Sequence, residues 1–87
     1  MDKQNIIEHI RDMAEKHSKP SDILRYLAID LEMTDQVDMM KLFSEALNVS
    51  LGEVTAIAGW WHEGSRELND KDINAYLTQM VEDYKRS

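Results

Sequence analysis

The 87-residue sequence contains no cysteine, one proline and three glycines. The absence of cysteine excludes disulfide bonds, thiolate metal ligands and thiol nucleophiles, and it is typical of proteins in a reducing compartment. No stretch approaches the roughly 18 apolar residues that a membrane-spanning helix needs, and no apolar segment follows a basic start as it would in a signal peptide. We therefore expect a cytoplasmic protein that is neither secreted nor embedded in a membrane.

Positive charge is also scarce, because ten lysines and arginines face 17 aspartates and glutamates, which gives a net charge of −7. Nucleic acids and anionic lipids attract clustered cations, so we expect no nucleic-acid partner and no membrane partner. The excess is concentrated in residues 26–65, where seven acids face one base, Lys41. We interpret this concentration as a surface for a cationic partner, and the alternative is a solvated face that keeps the protein soluble. The seven acids are Asp30, Glu32, Asp35, Asp38, Glu45, Glu53 and Glu63.

Apolar residues recur at helical spacing from end to end, and no segment alternates as a strand does. At 87 residues the chain has the length of one domain with a modest core. We therefore predict an all-α fold, with residues 1–87 forming a single helical domain, a compact bundle of about five short helices. The predicted helices cover residues 3–17, 21–33, 35–47, 51–60 and 70–85.

Capping signals define several of these boundaries. Thr34 is predicted to cap the third helix and Asn69 the fifth, because short polar side chains accept hydrogen bonds from the first turn. Ser50 and Glu53 have the spacing of a capping box at the start of the fourth helix. The fifth helix is expected to reach about Lys85, where basic residues complement the helix dipole.

Residues 43–57 have the apolar spacing of a helix-turn-helix corner, with the small Ser44 where the two helices would pass closely. Proteins that read DNA place Arg, Lys, Asn or Gln on base edges and several cations on phosphates. The exposed positions of the second helix carry none of these residues. We therefore predict a helix-turn-helix-like corner without DNA binding. Those positions are Ser50, Leu51, Gly52, Glu53, Thr55 and Ala56.

Residues that suggest metal binding or catalysis do not form a recognisable site. His9 and His17 are eight residues apart and His62 lies elsewhere, so none of them forms the helical pair typical of zinc. Residues 70–81 resemble the first half of a calcium loop but lack its glycine and its final glutamate. No phosphate-binding loop or nucleophile elbow is present. We predict no enzymatic activity, no metal and no cofactor.

Two adjacent tryptophans, Trp60 and Trp61, cannot both face one core. We expect one to pack inward and the other to lie partly exposed, where tryptophan is enriched at binding hot spots. The six methionines fit irregular core gaps, and the alternative is an adaptable binding surface.

The run Leu47–Val54, followed by Ala58–Trp61 and Glu67–Asp70, resembles small bacterial immunity proteins of contact-dependent growth inhibition and similar toxin systems. The likeness covers about residues 42–77. It implies a cytoplasmic protein that binds and neutralises the toxin domain encoded beside it. Many such toxins are nucleases with a cationic substrate groove, for which an acidic helical surface would compete with nucleic acid. The family has no diagnostic catalytic motif, so no site residue is carried over.

A basic toxin domain is therefore the partner that the sequence favours, with charge giving fast association and an aromatic giving residence time. The first alternative is a small regulator or adaptor that uses the helix-turn-helix-like corner for protein contacts. The second is a homodimer built on exposed methionines and tryptophan. The candidate contact residues are Asp35, Asp38, Glu45, Glu53, Trp60, Trp61 and Glu63.

Overall fold

A computed structural model describes residues 2–84 of the chain. The described residues form five helical segments and no strand, so the predicted all-α fold is confirmed. None of the helices in this range is long and apolar enough to cross a membrane. The segments are α1 (Lys3–Glu15), α2 (Pro20–Arg25, continued as a π-helical turn over Tyr26–Asp30), α3 (Gln36–Leu47), a 3₁₀ helix (Leu51–Gly59) and α4 (Asp70–Asp83).

Helix α1 ends two residues earlier than its apolar pattern predicts. His17 adopts a left-handed conformation with φ of 59°, and the amide of Ser18 donates to the carbonyl of Met13 at 3.0 Å. This bond satisfies the carbonyl of Met13 in the last turn of the helix, and the left-handed residue turns the chain. Pro20 then begins α2, because proline lacks the N–H that a first-turn residue leaves unbonded.

The connection between α2 and α3 corrects two predictions. The second helix was expected to reach Met33, but it ends in the π turn at Asp30, and Glu32 then takes a positive φ of 54°. The predicted cap Thr34 does not cap α3. Asp35 does so, because it has extended backbone angles and its carboxylate accepts from the amide of Val37 at 2.8 Å.

The helix-turn-helix-like corner is present between α3 and the 3₁₀ helix. Asn48 ends α3 in a left-handed conformation, and the hydroxyl of Ser44 donates to the carbonyl of Val49 at 2.6 Å. The second arm corrects the prediction of an α-helix, since it is a 3₁₀ helix with a kink at Val54. The capping box formed by Ser50 and Glu53 is present there, with the Ser50 amide donating to the Glu53 carboxylate at 2.8 Å.

Helix α4 begins as predicted at the cap Asn69, whose side chain accepts from the amide of Asp72 at 2.9 Å. The Asp72 carboxylate accepts in return from the Asn69 amide at 3.3 Å. The helix ends at Asp83. The predicted end near Lys85 lies outside the described residues.

One hydrophobic core joins all five segments. Polar side chains also connect elements that are distant in sequence. The Arg11 guanidinium donates to the carbonyl of Ala46 at 2.9 Å, which links α1 to the end of α3. The side chain of Asn74 in α4 accepts from the amide of Ser21 at 2.9 Å and so satisfies the first turn of α2. The largest fully buried side chains include Trp60, Phe43, Ile10, Leu24, Met39 and Ile73.

Candidate partner-binding surface

The two tryptophans differ in environment, as expected. Trp60 is 0% exposed, and its indole N–H donates to the Asp70 carboxylate at 2.9 Å. Trp61 is partly buried against the core and lies beside the imidazole of His62, with 4.7 Å between ring centroids. The inclusion of Trp60 among the contact residues is therefore corrected, because its side chain is enclosed by the protein itself. Trp61 remains accessible.

Asp70 joins the buried tryptophan to α2. One carboxylate oxygen accepts from Trp60 and the other from Arg25, whose guanidinium also lies 6.0 Å from the centre of the Trp60 ring. Burial acts to raise the pKa of Asp70, but the hydrogen bonds from Arg25 and Trp60 and the positive charge of Arg25 outweigh it and hold the pKa below its ordinary value. This arrangement fixes the start of α4 against α2 and is structural.

The lowered pKa of Asp70 predicts a loss of stability in acid. Its contribution should be fully present above about pH 4, the unfolded value, and should disappear as the pH falls through the lower folded value. Asp70→Asn should lower the free energy of unfolding by about 0.5–1 kcal/mol at pH 7, a figure reduced for the partial exposure of the pair. Urea denaturation between about pH 7 and pH 3 measures the difference from the parent protein, which should shrink below about pH 4.

Exposed Glu82 on α4 provides the matched control for this measurement. Glu82→Gln removes one carboxylate from the same helix, and the Glu82 carboxylate forms no hydrogen bond or ion pair within residues 2–84. A difference between Asp70→Asn and the parent that stays constant down to pH 3 would contradict the role given to the ionised carboxylate.

Three of the predicted contact acids have partners within the protein. Asp35 caps α3, Glu53 caps the 3₁₀ helix, and Glu45 forms an ion pair with Lys3 at 2.9 Å. Lys41 lies between Asp38 and Glu45 at helical spacing on the exposed side of α3, which further reduces the negative charge of that face. The acidic surface is therefore narrower than the sequence suggests.

Of the acids in residues 26–65, four exposed ones, three of them close in sequence, have carboxylates that form no hydrogen bond or ion pair with any residue in the range 2–84. They are Asp30, Glu32, Asp38 and Glu63. We define residues 29–38 as the acidic segment, which carries four carboxylates and no base. Two apolar side chains in it, Ile29 and Val37, are each 48% exposed. Val37 stands at helical spacing from the buried Met40 of α3, but nearly half of its own side chain is exposed.

A second surface feature lies between the 3₁₀ helix and α4. It is a groove of about 400 Å³, which we call the 3₁₀–α4 groove. The amide of Leu68 donates to the carbonyl of Gly59 at 2.8 Å and holds the two sides together. Tyr76 stands at helical spacing from the buried Ile73 but is itself 62% exposed at this groove. The lining residues are Glu53, Thr55, Ala56, Gly59, Glu67, Leu68 and Tyr76.

The remaining candidate, Glu63, lies at a separate depression of about 350 Å³, together with His62, Arg25 and Lys71. The structure therefore distributes the predicted contact residues over several places. Asp35 and Asp38 belong to the acidic segment, Glu53 to the 3₁₀–α4 groove and Trp60 to the core.

No set of three or more side chains of metal-ligand type converges within residues 2–84. His9 instead packs against the ring of Tyr26, with 4.2 Å between centroids. Burial, and then the charge of Asp30, raises the pKa of Tyr26 above its ordinary value, so this phenol stays neutral at physiological pH.

Comparison with protein-family models, with curated proteins and with solved structures finds no match to this chain. The resemblance to immunity proteins therefore stays a hypothesis that rests on the residues quoted for it.

Proposed function

We propose that this protein binds a cationic protein through the acidic segment and, following the resemblance of residues 42–77, that it is an immunity protein that neutralises a basic toxin domain. The observation that carries the proposal is the combination of exposed apolar surface with carboxylates that form no ion pair in the described part of the chain. The carboxylates of Asp30, Glu32 and Asp38 form no ion pair or hydrogen bond within residues 2–84, and Ile29 and Val37 are nearly half exposed.

The two kinds of side chain support different steps of binding. Carboxylates that repel one another in the free protein are relieved by a cationic surface, and their field accelerates the encounter. Apolar side chains that become buried in the complex slow its dissociation. A nuclease toxin fits this description, because the groove that binds its nucleic acid must be cationic, and an acidic protein seated there would exclude the substrate.

An adaptor that uses the helix-turn-helix-like corner is the second candidate function. The observation in its favour is Leu51, which is 43% exposed at the start of the 3₁₀ helix. Such a partner would contact an apolar corner, so its binding would depend little on salt. Salt dependence therefore separates the adaptor, and equally the apolar homodimer, from the immunity protein.

The proposed function is tested by co-expression with the protein encoded beside it. We expect the upstream neighbour to encode a toxin whose basic terminal domain stops bacterial growth when it is produced alone. Production of this protein should restore growth, and the two should elute as one complex that weakens as salt rises. Absence of a basic partner at low salt, or failure to restore growth, would overturn the proposal.

Two triple variants with the same change in net charge locate the surface. The segment variant neutralises three acids in the acidic segment: Asp30→Asn, Glu32→Gln and Asp38→Asn. The control variant neutralises three exposed acids elsewhere: Asp22→Asn, Glu82→Gln and Asp83→Asn. Protection from the toxin should be lost at lower toxin doses in the segment variant than in the control variant. Equal protection would place the partner on another surface.

A further inference from the structure

The 3₁₀–α4 groove shares no residue with the acidic segment, and it combines apolar walls with unneutralised acid. Its apolar lining includes Ala56, Gly59 and Leu68, and the exposed ring of Tyr76 also lines it. Tyr76 is 62% exposed on a helix whose other face packs into the core through Ile73, Leu77 and Val81. Exposed aromatics beside a concave apolar surface are typical of binding sites.

The groove carries two carboxylates and no base among its lining residues. Glu53 accepts from the Ser50 amide through one oxygen. Glu67 has no hydrogen bond or ion pair with any residue from 2 to 84. The guanidinium of its neighbour Arg66 lies 3.3 Å from the side-chain amide of Gln36, whose oxygen accepts from it when the amide is suitably oriented. A cationic ligand would therefore meet two carboxylates and no base among the lining residues.

A long aliphatic stem with a planar cationic head matches these walls. The methylene groups of arginine can cover Ala56 and Leu68, while its guanidinium can lie over Tyr76 and donate to Glu53 and Glu67. Arginine fits better than lysine, because its guanidinium is less strongly hydrated, stacks on aromatic rings and donates to two carboxylates at once.

We propose that the 3₁₀–α4 groove binds an arginine side chain presented by a loop of the cationic partner. This inference rests on the proposed function. It adds specific recognition of one arginine to the general attraction between an acidic surface and a basic partner. A partner that presents arginine here would be distinguished from a merely basic protein, because the neutral groups of the groove also contribute.

Residue-resolved NMR with a defined peptide tests the inference. The ¹⁵N-labelled protein is titrated with acetyl-Gly-Leu-Arg-Leu-Gly-amide and, in parallel, with the same peptide containing citrulline, which keeps the shape of arginine without its charge. Saturable shifts at the amides of Ala56, Gly59 and Leu68 with the arginine peptide, and shifts at least about tenfold weaker with citrulline, are the expected result.

Other outcomes overturn the inference and stay distinct from failure of the proposed function. Shifts confined to the acidic segment would reject the groove and still agree with a cationic partner. Equal shifts with both peptides would show that the groove does not recognise charge. No shift at millimolar peptide would reject arginine binding, while restoration of growth by co-expression would separately decide the proposed function.

Variants of the groove test the two chemical contributions separately. The double variant Glu53→Gln with Glu67→Gln removes the charge, and glutamine at position 53 can still accept from the Ser50 amide. Tyr76→Ala removes the exposed ring and should weaken arginine-peptide binding about two- to fivefold. The control variant should leave binding unchanged. Unaltered binding in both groove variants would overturn the proposal.

Discussion

Replacement of Trp60 by alanine is expected to lower the free energy of unfolding by about 3–5 kcal/mol. Trp60 is 0% exposed, so the change leaves a large cavity, and it also removes the N–H donor of Asp70 and the ring beside Arg25. A small domain is stable by only about 5–10 kcal/mol, so much of that margin should disappear. Urea denaturation followed by far-ultraviolet circular dichroism measures the change without using tryptophan fluorescence as the signal.

Two further substitutions make this result specific. Trp60→Phe keeps most of the volume and loses the N–H, so it should cost about 1–3 kcal/mol. Trp61→Ala is the matched control at the neighbouring position, and it should cost distinctly less than Trp60→Ala because Trp61 is already partly exposed. If Trp61→Ala proved as costly as Trp60→Ala, the inward and outward positions assigned to the two rings would be incorrect.

The boundaries that could be predicted from sequence depend on contacts within one turn. The capping box of Ser50 and Glu53 and the cap at Asn69 involve residues three positions apart, so they can be recognised in the sequence without knowledge of the fold. By contrast, the sequence did not predict that the segment Leu51–Gly59 forms a 3₁₀ helix instead of an α-helix. Its buried positions, Val54 and Ile57, are three residues apart, a spacing that fits a 3₁₀ helix as well as an α-helix.

The candidate surface depends on contacts between distant residues, which limits what the sequence can predict. The sequence indicates that one of two tryptophans faces inward, but the choice of Trp60 depends on Asp70 in another helix. The excess of acidic residues can likewise be counted from the sequence. That Glu45 is paired with Lys3, 42 positions away, is visible only in the fold. The exposure of Tyr76 is also visible only in the fold, because helical spacing alone places this residue beside the core positions of α4.

The segment variant is expected to slow association with the cationic partner by about tenfold or more at low salt. The carboxylates of Asp30, Glu32 and Asp38 form no ion pair within residues 2–84, so their field acts on the approaching partner. The control variant has the same net charge and should associate nearly as fast as the parent protein. Stopped-flow mixing at about 50 mM and about 300 mM salt measures both rates, and the difference between the variants should diminish as screening increases.

Apolar side chains in the same segment should affect the opposite rate. Ile29→Ser and Val37→Ser remove exposed apolar surface without changing charge, so they should leave association almost unaltered and accelerate dissociation, because most interface contacts act on the lifetime of the complex. Truncation of exposed residues of this kind also costs the free protein little stability. If the segment variant and the control variant slowed association equally, net charge would be responsible and the acidic segment would have no special role. If the serine variants left dissociation unchanged, Ile29 and Val37 would lie outside the interface, and steering by charge would be the only contribution of this segment.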